Sequence, residues 1–132
     1  MQLSRIGQIR INVRDVGRAV AFYRDVLGIP FLFDVPDQGL AFFDCGGVRL
    51  YLAAAAEDSP DTTAVIYDGV DSVDDSYRAR RDRGVVFDDE PHTVYTTDEV
   101  EGRMAFFQDS EGNTLALMAE RPLQGAGASP TA

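Results

Sequence analysis

The period of the apolar positions changes several times along the chain, and each change predicts an element. Across residues 6–13 the period is two: Ile9, Ile11 and Val13 share one face, and Gln8, Arg10 and Asn12 the other. That alternation predicts a strand whose second face is either wet surface or the lining of a polar cavity. From position 16 the spacing becomes three and four, through Val16, Ala19, Val20, Phe22, Tyr23, Val26 and Leu27. A helix over 16–27 follows, with Asp15 placed to cap its start and Gly28 to end it in a left-handed conformation. The helix must lay its stripe on something, and the strand before it is the nearest candidate. Strands are then predicted at 29–35, 40–43 and 48–53, separated by Pro36-Asp37-Gln38-Gly39 and Cys45-Gly46-Gly47 as turns.

After a polar connector at 57–62, the order repeats. A strand is predicted at 64–67, a charged amphipathic helix at 73–83 ending at Gly84, and strands at 85–87, 104–107 and 114–118. Residues 88–100 read as irregular, and the tail from Pro122 as frayed. Val13 and Val16 have counterparts in Val70 and Val73, and Gly28 in Gly84. AFFDCGGVRLYL at 41–52 aligns with AFFQDSEGNTLALM at 105–118. Two tandem βαβββ units are therefore expected, modules of about 4–56 and 62–121 in one domain over 1–121, with 122–132 as a flexible tail. Neither unit has much core of its own, so a shared interior is expected.

Composition narrows the partners. With 132 residues and 45% hydrophobic content the chain can bury a real core. A formal charge of −10 argues against a nucleic-acid partner, because phosphate is held by clustered Lys and Arg. Cys45 is the only cysteine, which excludes an intrachain disulfide; beside Gly46-Gly47 it reads as a turn or buried thiol. No signal peptide is read at the start, and no apolar run approaches the ~20 residues that span a bilayer, so a cytoplasmic location is expected.

Three stretches carry a resemblance: IGQIRINVRDVGRAVAFYRDVLGI at 6–29, FFDCGGVRLYL at 42–52 and MAFFQDSEGNTLALM at 104–118. They resemble the vicinal oxygen chelate superfamily, the glyoxalase, bleomycin-resistance and extradiol-dioxygenase group, over about residues 6–120. The fold that this implies is α+β, two βαβββ modules forming a curled mixed sheet around a cleft, usually as a homodimer. The catalytic members hold a divalent metal on residues from the first and fourth strand of each module. Those places fall here on Gln8, Tyr51, Val65 and Ala116, of which only Gln8 is a plausible ligand. A divalent ion needs several N or O donors, so no metal and no cofactor is expected.

The candidate ligand-binding residues are then Gln8, Arg10, Asn12, Tyr51, Phe106 and Ala116, the last two expected from the second module. Each has a plainer reading. Gln8 and Asn12 suit an ordinary polar sheet face, and Arg10 is either an anion anchor or the partner of an acidic side chain. The aromatic residues (Tyr51, Tyr67, Tyr95, Phe33, Phe42 and Phe106) and Met104 either wall a site for a flat organic molecule or simply close space. His92, the single histidine, is either a base or ligand contact, oriented by Glu90, or a solvated loop side chain. A relocated metal site from Glu90, His92 and Gln8 is disfavoured. The function expected is binding of a small organic molecule between modules. The alternatives are a metal-dependent lyase, epimerase or dioxygenase, and a dimeric scaffold without ligand.

Overall fold

The first strand and helix form where the periodicity places them. The structure, a computed structural model, describes residues 3–56 and 64–123. The connector read at 57–62 and the tail beyond 123 lie outside the described residues. Contacts divide the chain into two units, one of residues up to Ala64 together with Asp109–Asn113, the other of Val65–Gln108 and the residues from Thr114 onward.

In the first unit, β1 (Gln8–Val13) leads to α1 (Val16–Ala21), continued by a π-helical turn over Phe22–Val26. Asp15 Oδ1 accepts from the Arg18 amide at 3.0 Å, the cap that the sequence predicts. Gly28 ends the helix at φ 76°, as Gly84 ends its counterpart at φ 100°. β2 (Phe31–Val35), β3 (Leu40–Cys45) and β4 (Val48–Ala54) complete a sheet of order β1-β4-β3-β2. β1 pairs with β4 in parallel and the other pairs are antiparallel. The β1–α1–β2 connection runs from one edge of the sheet to the other, so α1 lies over the middle strands β3 and β4 rather than on β1 alone. Ala19, Val20, Tyr23 and Leu27 are buried with Ile11, Val13, Ala41, Phe43, Leu50 and Leu52.

The second unit repeats this order with one strand more. β5 (Ile66–Gly69), α2 (Val73–Asp82), β6 (Val86–Phe87), β7 (His92–Thr96), β8 (Val100–Gln108) and β9 (Thr114–Pro122) follow in sequence. The sheet runs β5-β9-β8-β6, with β7 also on β8, and α2 packs over β8 and β9. Ser72 caps α2 through its hydroxyl, which accepts from the Asp75 amide at 3.2 Å. Tyr77, Phe87 and Phe107 carry the aromatic packing beneath α2, at ring separations of 4.7 and 5.3 Å.

Two expectations are corrected. The sheet was expected to curl around a cleft, yet neither sheet is closed or strongly curled. Among the described residues β1 pairs only with β4 and β2 only with β3, so the first sheet ends in two open edges, and the second is likewise an open array. Closure would need edge strands to pair with each other. Residues 88–100 were expected to be irregular, but they contain β7, which joins β8 across a register shift between Thr93 and Tyr95. Tyr95 lies directly over Gly102, where an added Cβ would stand 2.2 Å from its ring, so glycine is what lets this edge strand dock. No described helix is long and apolar enough to cross a membrane.

Candidate functional site

Because side chains alternate along a strand, the face of the first sheet opposite α1 is set by the residues out of phase with its core. Register aligns four of them in one row. Arg10 stands opposite Tyr51, Tyr51 opposite Phe42, and Phe42 opposite Phe33. The Phe42 and Tyr51 rings are stacked at 4.8 Å and 13°, and Phe33 follows at 4.8 Å from Phe42. The Arg10 guanidinium lies 5.4 Å from the Tyr51 centroid, and that of Arg49 lies 5.3 Å from the Phe42 centroid. Each is within cation–π range. Arg10 Nε donates to Asn12 Oδ1 at 3.0 Å, which holds its side chain along the strand. Gln8 is one row away, exposed and opposite Arg49.

Of the sequence-predicted residues, Gln8, Arg10, Asn12 and Tyr51 thus share one face of one sheet. Arg49 and the continuity of the row were not anticipated. The signal was present in VRLYLA at 48–53, where Arg49 has the parity of Tyr51.

On the second sheet, Ala116 sits between Tyr67 and Phe106, opposite both. Those two rings meet edge to face at 5.8 Å, and Ala116 beneath them is fully buried. Tyr67 itself is 45% exposed. In the neighbouring row Met104 stands opposite both Met118 and His92. The His92 ring lies 6.4 Å from that of Phe106. His92 is therefore a strand residue and not a loop one. Its Nδ1 lies 3.0 Å from the Glu90 carbonyl and 3.5 Å from Asp89 Oδ2. A carbonyl only accepts, which assigns the ring hydrogen to Nδ1 and leaves Nε2 of the neutral ring as an acceptor. Glu90 thus engages His92 by its backbone and not by its carboxylate. Further along the sheet, Glu101 accepts from the Thr93 hydroxyl at 2.5 Å and pairs with Arg121 at 3.4 Å. Those two contacts, Thr93 first, hold its carboxyl below the usual range.

The family metal can be tested against these donors. Gln8 offers an amide and Tyr51 a phenol, while Val65 and Ala116 offer nothing. Tyr51 is moreover committed to the aromatic row. Among the described residues no group of three or more His, Cys, Asp and Glu could hold a metal ion. The residues present do not fit a divalent ion.

The strongest polar cluster is in the core of the first unit. Asp109 is 6% exposed and its carboxylate accepts four hydrogen bonds. Two come from the amides of Glu111 and Asn113, one from Asn113 Nδ2, and one from the Tyr23 hydroxyl at 2.7 Å. Glu111 reaches Arg18 at 2.5 Å and accepts from the Arg14 amide at 2.6 Å. The side-chain hydrogen bond to Glu111, then the charge of Glu111, raises the Arg18 guanidinium above its ordinary value. Both carboxylate oxygens of Asp109 are satisfied, the pattern of a structural fastening rather than of a reactive acid, while the neighbouring Ser110 hydroxyl is buried without a hydrogen-bond partner.

The comparisons agree with this architecture. A family model described as the Glyoxalase/Bleomycin resistance protein/Dioxygenase superfamily matches residues 5–117. The uncharacterized protein YraH of Bacillus subtilis is 26% identical over 123 residues, covering 83% of this chain and 94% of that protein. An antibiotic binding protein from a Streptomyces species is 25% identical, with a TM-score of 0.73 over 93% of this chain and 99% of its own. The lactoylglutathione lyase of Agrobacterium tumefaciens has a TM-score of 0.72 at 22% identity, over 89% of this chain and 94% of that one, and so shares the fold. Two units of matching strand order, the sequence repeat and a family match over most of the length have one reading: the chain belongs to the glyoxalase, bleomycin-resistance and dioxygenase superfamily, the vicinal oxygen chelate proteins.

Proposed function

We propose that this chain binds a small organic molecule on the aromatic face of its first sheet, and that it does so without the family's metal. The observation that carries the reading is the Arg10–Tyr51–Phe42–Phe33 row, in which an aromatic ring occupies a place where catalytic relatives keep a metal ligand. Rings with a few fixed polar groups beside them are the usual means of holding an organic molecule in one orientation. The similarity to an antibiotic binding protein supports the same class of function. A metal-dependent lyase, epimerase or dioxygenase would need donors that Val65 and Ala116 lack. A scaffold without ligand would have no use for two arginines laid against this row.

Metal titration tests the reading first. Protein dialysed against chelator and offered Zn, Ni, Mn, Fe or Co should retain well under one ion per chain by elemental analysis, and Gln8→Ala should change nothing. One tightly held ion per chain, lost in Gln8→Ala, would replace this proposal with the metal-dependent one. Calorimetric titration with a library of aromatic metabolites tests the site. Phe42→Ala should weaken any binder, and unchanged affinity would place the ligand elsewhere.

A further inference from the structure

Resting on the binding reading above, we infer that the ligand is a planar aromatic anion, a carboxylate or similar acid attached to a flat ring, gripped by Arg10 and Arg49. The argument begins with how the rings stand. Phe42 and Tyr51 are nearly parallel with centroids 4.8 Å apart, which is the spacing of neighbouring strands. They stack along the sheet, face against face, and their faces are spent on each other and on the flanking guanidiniums. What remains for a ligand is the row of C–H rims, the positive part of each ring's quadrupole. An electron-rich ring or an oxyanion is favoured against such rims.

Charge points the same way. The chain carries 22 acidic residues against 12 Lys and Arg, and half of its arginines are ion-paired. Arg18, Arg24, Arg78, Arg81, Arg103 and Arg121 are all ion-paired. Arg10 and Arg49 have no carboxylate partner among the described residues, although Asp44 lies directly opposite Arg49. Asp44 instead accepts from the Gly47 amide at 3.0 Å and stays with its turn. Both guanidiniums are exposed and held over ring faces, each with donors left for a carboxylate. Two unneutralised cations on one face of a strongly acidic protein make a local site for an anion, since the protein as a whole repels one.

The test uses a matched pair, 2-naphthoate and 2-naphthamide, which share ring and size but differ in charge. Calorimetry on the full chain should give naphthoate an advantage of about ten-fold or more, falling as salt is raised. The double variant Arg10→Gln, Arg49→Gln changes only exposed side chains, and its fold is checked by circular dichroism. It should bring the two affinities together without abolishing naphthamide binding. Amide chemical shifts should move on β1, β3 and β4. If naphthamide binds as well as naphthoate on those strands, the anion inference is overturned while the binding reading stands. If naphthoate binds but its shifts map to Arg103 and Arg121, or its advantage survives the double variant, the assignment to Arg10 and Arg49 is overturned. If neither compound binds at millimolar concentration, both the inference and the binding reading beneath it fall.

Discussion

Replacing Tyr23 by phenylalanine removes one oxygen atom from the most polar part of the core, and the structure fixes what that should cost. Tyr23 is fully buried and its hydroxyl donates to Asp109 Oδ2 at 2.7 Å, across 86 positions of sequence. Oδ2 then keeps only Asn113 Nδ2 at 3.0 Å, while Oδ1 keeps its two amide donors at 2.8 Å. A hydrogen bond to a charged group contributes about 1.5–3 kcal/mol, and the carboxylate cannot turn to water for a replacement. Tyr23→Phe should therefore cost about 2 kcal/mol. At about 2.1 cal/mol/K per residue, a chain of this length unfolds with an entropy near 0.28 kcal/mol/K, so the melting temperature should fall by ~7 °C. Asp109→Asn should cost more, because its NH2 group must confront donors whichever way the amide is turned. Urea denaturation followed by circular dichroism gives both single values, and the double variant closes the cycle. Strong coupling is expected, with the double variant much less destabilised than the sum of the singles. A Tyr23→Phe loss below ~0.5 kcal/mol, or additivity within that error, would refute the view that this bond fastens the 109–113 turn to the helix.

Three further outcomes follow from particular contacts. Gly102→Ala drives a methyl into the Tyr95 ring, so that ring must leave and its hydroxyl must give up Glu120, at 2.5 Å; a loss of about 1–3 kcal/mol is expected, partly recovered in Tyr95→Ala. Glu101 is held below its ordinary value in the folded state, so its contribution is complete above the unfolded value and disappears as pH falls through the folded one. Wild type should accordingly lose more stability than Glu101→Gln between about pH 7 and pH 3, and equal losses would show that its partners add nothing. The open edges at β1 and β2 give the chain a reason to pair with a second copy, and light scattering should report a mass near twice 14.4 kDa; a monomer at micromolar concentration would count against it.

Local chemistry was enough for the elements whose causes are local. Asp15, Gly28 and Gly84 mark helix ends because a cap or a positive φ is decided within one turn. The repeat of 41–52 in 105–118 announced two units of one topology, because equal patterns bury equal faces. The shared side of Gln8, Arg10 and Asn12 followed from strand parity alone. β7 escaped notice because His92–Thr96 alternates weakly, and it is a strand only through β8 and the space left by Gly102. The aromatic row depends on register across four strands, where a slip of one residue would turn Tyr51 toward α1. Whether the sheets closed was a question of edge pairing between strands far apart in sequence, and the answer was that they stay open. Asp109 in QDSEGN reads as an ordinary turn residue, yet Tyr23 from the first helix makes it a buried hub. Parity, caps and repeats are properties of neighbours along the chain, whereas register, closure and the company of a buried carboxylate are settled only when distant segments meet.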